Sequence, residues 1–191
     1  MNLPLSKNKV SPDEYLALER DAVYKSEYFN SEIFAMVGAS RKHNQININI
    51  STELNMAFKE KSCVVYSNDM RVKIEESGDY VYPDIVALCG ESLFDDRATE
   101  ILLNPSVIIE VLSQSTEAYD RGLKFQRYRL IPSLEEYILV SQDQVWVERY
   151  VRHGTGWIFS EYKSLDDGIK LEPVGCTLYL KDIYHKVEIN Q

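Results

Sequence analysis

The chain has 191 residues, of which 45% are hydrophobic and 27% are charged, and its formal net charge is −9 at pH 7. This composition predicts one globular domain over residues 1–191. The negative charge argues against a protein that coats nucleic acid through bulk electrostatics, so any contact with DNA must be local. The three cysteines form no C-x-x-C pair, which favours reduced thiols over a disulfide framework or a zinc knuckle. No window approaches the ~18 apolar residues of a membrane span, so we expect a cytoplasmic protein with no membrane partner.

A helix and a hairpin are predicted near the start of the chain. The helix runs from a cap at Ser11 to about Arg20, because a serine, a proline and a glutamate follow one another at capping-box spacing. Residues 25–29 and 32–37 are predicted to form two strands, and the Asn30-Ser31 pair between them predicts the turn of a β-hairpin.

A long helix and a central sheet are predicted next. Apolar residues recur at helical spacing from a serine cap at Ser40 to about Lys61, which predicts one amphipathic helix that packs across a sheet. Clusters of Asp, Gly, Ser and Asn separate four runs of strand length, which are predicted to form that sheet: residues 63–66, 70–74, 82–89 and 105–112.

The second half of the chain is predicted to hold one helix and three strands. The helix runs from Asp120 to about Leu130 and must end near Ile131, because Pro132 disfavours helical geometry in the residue before it. Strands are predicted at residues 136–140, 145–152 and 157–162. The whole order of elements predicts an α/β or α+β domain.

Two acidic residues stand in apolar runs of strand length. Glu110 interrupts the run 107–112, and Asp84 opens the run 84–89. An ionised carboxylate in a buried strand needs a partner, because burying an isolated charge costs several kcal/mol or more. Ligands made only of oxygen select hard cations, so the pair predicts a Mg²⁺ or Mn²⁺ site at neighbouring strand ends. With Lys124 on the next predicted helix, the set suits phosphodiester chemistry.

The helix that carries Lys124 also carries arginines. At about 100° per residue, Asp120, Lys124 and Tyr128 share one face, and Arg121 and Arg127 flank it. This pattern predicts that the helix faces a phosphate backbone across the metal site. The two arginines are then predicted to contact DNA, and Asp120 and Tyr128 are predicted to support the site. A solvated helix face is the alternative interpretation.

Three motifs follow one another in the chain: Pro83-Asp84, Glu110-Val111-Leu112-Ser113, and Asp120-Arg121-Gly122-Leu123-Lys124 with Tyr128. Together with Glu32-Ile33, Met36 and His43 before them and residues 136–140 after them, this ordered set resembles the Uma-two group of restriction-endonuclease-like proteins. The resemblance spans roughly residues 11–152. It implies a P-D…[D/E]-x-K nuclease core, in which a mixed sheet flanked by helices binds Mg²⁺ and cleaves phosphodiesters.

The resemblance also assigns roles to residues. It implies that Asp84 and Glu110 hold the metal. The superfamily pattern puts a lysine two positions after the acid, where this chain has Leu112, so the resemblance implies that Lys124 takes over as the catalytic cation from the next helix.

Other residues are weaker candidates. His43 could contact phosphate or support a metal ligand through a hydrogen bond, and a packing or capping role explains it equally well. Asp69 could add a carboxylate from the loop before a strand, although an Asn-Asp pair is usually turn chemistry. Either Glu27 or Glu32 could reach the metal if the hairpin closes over the site, and a surface position is expected for Glu27.

The leading hypothesis from the sequence is a Mg²⁺-dependent deoxyribonuclease. DNA is then the substrate partner, and a homodimer is expected by analogy, since cutting both strands of a duplex is simplest with two-fold symmetry. The alternative is a catalytically inactive module that keeps the nuclease fold for binding or regulation. Leu112 and the net charge of −9 are its best support.

Overall fold

Two six-stranded mixed sheets form most of the computed structural model, which describes residues 9–36, 38–96 and 98–189. The strands are β1 Ser26–Phe29, β2 Glu32–Ala35, β3 Cys63–Ser67, β4 Arg71–Ile74, β5 Asp79–Val81, β6 Ile85–Cys89, β7 Phe94–Asp95, β8 Ala98–Leu102, β9 Val107–Leu112, β10 Glu136–Ser141, β11 Val147–His153, β12 Gly156–Tyr162, β13 Gly168–Leu171 and β14 Cys176–Tyr179. The helices are α1 Pro12–Arg20, α2 Arg41–Phe58, α3 Glu117–Tyr119, α4 Phe125–Tyr128 and α5 Leu180–Ile183. A π-helical segment, Asp120–Lys124, joins α3 to α4, and a 3₁₀ turn spans Glu172–Val174.

The first sheet has the order β2-β1-β5-β4-β8-β7, and the second has the order β12-β11-β10-β9-β6-β3. The mixed α+β fold predicted from the sequence is therefore confirmed, but not all four strands predicted for the central sheet lie in one sheet. The predicted strand at 70–74 lies in the first sheet as β4, where it pairs with β5 and β8. The predicted strand at 82–89 is shorter, because β5 ends at Val81 and β6 begins only after Pro83, which has no N–H to donate.

The N-terminal elements follow their local sequence signals. Ser11 and Glu14 form the predicted capping box of α1. Asn30 and Ser31 both have positive φ angles, of 52° and 68°, which is the backbone of a tight hairpin turn. Ser40 caps α2 by accepting a hydrogen bond from the backbone of His43, and the helix ends at Phe58, three residues before the predicted end.

The predicted helix at 120–130 is a composite. It begins at Glu117 in α3, widens into the π-helical segment and ends at Tyr128 in α4. The wider turn contains Gly122. Short π-helical segments are frequent at functional sites, and this one carries Lys124.

The second sheet separates two hydrophobic clusters. Residues Val107, Ile109 and Val111 of β9 face α2, whereas the alternate residues Ile108 and Leu112 face Tyr128 and the first sheet. Glu110 lies between Ile108 and Leu112 on the second of these faces, because side chains alternate along a strand. The strand thus carries one carboxylate into an otherwise apolar layer.

The cysteines differ from the prediction. Cys63 and Cys89 are directly opposite each other in the antiparallel pair β3 and β6, and they form a disulfide, while Cys176 is free. The expectation of reduced thiols is therefore wrong for this pair. A cross-strand pair separated by 26 residues has no short spacing signal, so it becomes visible only when the register of the strands is known. Within the described ranges, no helix is long and apolar enough to cross a membrane.

Candidate active site

Glu110 is buried in the middle of β9, with only 3% of its surface exposed. Its Oε1 accepts hydrogen bonds from the ammonium of Lys124 and the hydroxyl of Tyr128, both at 2.8 Å. Burial raises the pKa of Glu110 to about 8, although the nearby Lys124 acts in the opposite direction. The partner that the sequence required for this buried carboxylate is therefore Lys124.

Asp84 lies beside Glu110 because β6 and β9 are antiparallel neighbours, with Ile85 opposite Ile109. The backbone N–H of Asp84 donates to Oε2 of Glu110 at 3.3 Å. In return, the N–H of Val111 donates to Oδ2 of Asp84 at 2.8 Å. The two acids therefore lie together on neighbouring strands, as the sequence predicted, and backbone hydrogen bonds orient both carboxylates.

Lys124 reaches Glu110 from the π-helical segment and is itself buried, with 6% of its surface exposed. Its Nζ lies 2.8 Å from Glu110, 3.2 Å from Glu27 and 3.8 Å from Asp120. Burial opposes a charged ammonium, but these three carboxylates together raise the pKa of Lys124 well above its ordinary value. Asp120, Lys124 and Tyr128 share one face of the composite helix, as predicted.

Glu27 is the main difference from the sequence prediction at this site. A surface position was expected, but Glu27 is buried, its Oε1 accepts a hydrogen bond from the backbone of Tyr82 at 3.1 Å, and it contacts Lys124. All four residues of β1 are buried, because the hairpin is covered on both faces. Because Glu27 lies in a strand whose residues are all buried, the surface position expected for it is wrong.

The charges of this cluster do not balance. Three carboxylates, those of Glu27, Glu110 and Asp120, lie within 3.8 Å of the ammonium of Lys124, and a fourth, Asp84, adjoins Glu110. Burial also raises the pKa of Asp120, while Lys124 lowers it. Protons on the carboxylates or a bound cation are the two ways to offset such an excess of negative charge.

Helix α2 supports Asp84 with two residues one turn apart. The Nε2 atom of His43 lies 3.0 Å from Oδ2 of Asp84. The amide of Asn47 donates to the backbone oxygen of Asp84 at 3.3 Å and to the side chain of Asn68 at 2.9 Å. The hydrogen bond suggested for His43 is therefore present. Asn47 was missed, although its spacing of four residues from His43 puts both on one helix face.

Replacing Asn47 with alanine is expected to lower the free energy of unfolding by about 1–3 kcal/mol, because buried polar groups lose a hydrogen-bond partner. Chemical denaturation measures this change. Asn55→Ala is the matched control, since Asn55 is an exposed residue of the same helix. Equal stabilities of the two variants would contradict the anchoring role of Asn47.

Three predicted site residues lie outside the cluster. Arg121 binds Glu117 and Glu148, each at 2.8 Å. Arg127 lies 3.4 Å from Asp79 and stacks on the ring of Phe29. Asp69 pairs with Lys25. A role of these three residues in DNA or metal binding stays a prediction.

The acidic cluster lies in a cavity of about 690 Å³ between α2, the hairpin and the π-helical segment. The carboxylates Asp84, Glu110 and Asp120 and the ammonium of Lys124 line it. In the part of the chain that the structure describes, no three His, Cys, Asp or Glu side chains are grouped as a complete metal cage. Mg²⁺ commonly takes only one or two protein carboxylates and completes its shell with water and substrate phosphate, so the pair Asp84 and Glu110 suits it.

Comparisons with known proteins agree with this architecture. A protein from Synechocystis sp. strain PCC 6803, slr1290, is 34% identical over 177 residues, which cover 92% of both chains. A second protein of that strain, sll1609, is 39% identical over 149 residues, which cover 78% of this chain and 84% of the relative. The crystal structure of "a putative nuclease belonging to DUF820" from Anabaena variabilis has the same fold, with a TM-score of 0.76 and 17% identity, over 92% of this chain and 97% of that one.

The family comparison covers most of the described site. The sequence profile of the Uma2 family, whose description is "Putative restriction endonuclease", matches residues 12–180. This range includes the hairpin, α2, both acids and the π-helical segment with Lys124. The chain therefore belongs to the Uma2 family.

Proposed function

We propose that this protein is a metal-dependent endonuclease that hydrolyses phosphodiester bonds of DNA. The observation that carries the proposal is the adjacent pair Asp84 and Glu110, with the buried ammonium of Lys124 at 2.8 Å from Glu110, in one cavity. The description of the Uma2 family supports the same reaction class. In this reaction, water adds to phosphorus while one phosphorus–oxygen bond of the backbone breaks.

The donor atoms of the cluster fit Mg²⁺ or Mn²⁺. Oxygen ligands of high charge density select hard cations, and the excess of carboxylates over ammonium groups favours a divalent ion. Asp84 and Glu110 would hold the ion, and their backbone contacts orient both carboxylates for it. When bound, the ion supplies Lewis acidity and positive charge next to the phosphate.

The other residues of the cluster have separate roles in this proposal. Lys124 supplies a fixed positive charge that stabilises negative charge as it develops on the phosphate oxygens. Tyr128 holds Glu110 in place, and His43 holds Asp84. Leu112, which stands where the superfamily has its lysine, is buried in the apolar layer. The approach of Lys124 to Glu110 supports its role as the replacement.

The proposal extends to partners and location. DNA is the substrate, and a homodimer in the cytoplasm is the expected form of the protein. Analytical ultracentrifugation of the whole chain tests the dimer.

The first experiment is calorimetric titration of Mg²⁺ and Mn²⁺ into the wild type and Asp84→Asn, together with nicking of supercoiled plasmid in the same buffers. We expect the wild type to bind the ions and to nick DNA only in their presence. Asp84→Asn is expected to bind them at least about tenfold more weakly and to cleave at least about 100-fold more slowly, since it loses one of two charged ligands. An equal melting temperature of the two proteins shows that the variant is folded.

The opposite outcome is equally informative. A wild type that neither binds the ions nor nicks plasmid would refute the nuclease proposal. It would favour the alternative, a nuclease fold that is kept for binding or regulation.

A further inference from the structure

We propose that the cavity takes an unpaired nucleotide, so that the substrate is single-stranded or locally unpaired DNA rather than intact duplex. This inference rests on the proposed nuclease function and names its substrate class. Three features of the cavity carry it: the depth of the acidic cluster, an apolar rim with an exposed aromatic ring, and the sign of the charge around it.

The reacting groups lie at the bottom of the cavity. Glu110 and Lys124 have only 3% and 6% of their surfaces exposed, so a phosphate must enter the cavity to reach them. The cavity volume of about 690 Å³ accommodates a nucleotide but not a rigid double helix. A flexible single strand can bend one phosphate inwards, whereas a duplex must first open or extrude a nucleotide, which costs a few kcal/mol.

The rim of the cavity is apolar on the side of the hairpin. Val23 and Tyr24 are 88% and 78% exposed, and Phe34 and Met36 continue the same wall as partly buried residues. The exposed ring of Tyr24 offers a face on which a base can stack. Such stacking is available only to a base that is unpaired and unstacked, and it tolerates any base sequence.

The charge around the cavity is unfavourable for a duplex. Two lysines, Lys25 and Lys124, line the cavity. Five acidic residues also line it: Glu27, Asp69, Asp84, Glu110 and Asp120. Lys25 is paired with Asp69. Nearby Arg121 and Arg127 are engaged by the protein's own carboxylates. A duplex presents one negative charge per ~1.7 Å of axis, so it meets stronger repulsion here than a single strand does.

The test compares one labelled DNA strand alone with the same strand annealed to its complement, as substrates of the full chain with Mg²⁺ or Mn²⁺. We expect kcat/KM on the single strand to be at least about tenfold higher. Tyr24→Ala is expected to lower the single-strand value about five- to tenfold, while Tyr24→Phe keeps it, because only the ring is needed for stacking. Tyr179→Ala is the matched control, since Tyr179 is 45% exposed on β14 and does not line the cavity.

Equal or faster cleavage of the duplex would overturn the inference and leave the nuclease proposal intact. Equal effects of Tyr24→Ala and Tyr179→Ala would also overturn it. If the wild type cleaves neither substrate, the nuclease proposal itself fails, and fluorescence anisotropy of the same two DNAs then decides the inference. Tighter binding of the single strand that depends on Tyr24 supports it, and equal or tighter binding of the duplex refutes it.

Discussion

Replacing Lys124 with methionine is expected to lower the free energy of unfolding by about 3–5 kcal/mol at neutral pH and to slow DNA cleavage at least about 100-fold. The buried ammonium lies within 3.2 Å of both Glu27 and Glu110, so its loss leaves the buried carboxylate of Glu27 without its cation and removes a hydrogen-bond donor to Glu110. The apolar methionine side chain fills most of the same space, which separates the effect of charge from that of a cavity. Chemical denaturation and plasmid nicking measure the two effects.

Two further variants test whether charge is the cause. Lys170→Met removes an exposed lysine that lies 2.8 Å from Glu172, and such surface pairs contribute little, so we expect a change within about 0.5 kcal/mol. The double variant Lys124→Met with Glu27→Gln removes the carboxylate that the single variant leaves without its cation. It is therefore expected to be more stable than Lys124→Met alone. Equal stability of the single and double variants would show that packing, and not charge, explains the loss.

The sequence alone predicted which residues lie together at the centre of the candidate site, but not which residues surround them. Asp84 and Glu110 were identified because acids in apolar strand runs require partners, and the antiparallel pairing of β6 and β9 brings them together. Glu27 was misplaced, because a four-residue strand does not reveal that both of its faces are covered. That fact depends on which elements pack around the hairpin, which is a property of the tertiary structure.

The composite helix shows a second limit of prediction from the sequence. Helical spacing correctly put Lys124 and Tyr128 on one face, since the π-helical segment shifts the spacing by only a fraction of a turn. The same spacing could not predict that Arg121 meets Glu148, which comes from β11, or that Arg127 meets Asp79 of β5. Local periodicity predicts which side chains share a face. It does not predict which carboxylates from distant parts of the chain pack against that face.

Replacing Glu110 with glutamine is expected to change how stability depends on pH. Burial raises the pKa of Glu110 from 4.5 to about 8, so the native state binds a proton that the unfolded chain releases over this range. The contribution of Glu110 to stability is thus fully present below pH 4.5 and is lost as the pH rises through about 8. Glutamine cannot titrate, and its amide oxygen still accepts hydrogen bonds from Lys124 and Tyr128.

The difference in unfolding free energy, Glu110→Gln minus wild type, is therefore expected to increase by roughly 2–5 kcal/mol between pH 4.5 and 8. Chemical denaturation at a series of pH values, with a chelator present, measures it, and the subtraction removes the slope contributed by groups that do not interact with Glu110. A difference that falls over this range would mean that the ion pair with Lys124 outweighs burial and lowers the pKa of Glu110. Glu110 would then be ionised when no metal is bound, and the excess negative charge that favours a divalent cation would be larger still.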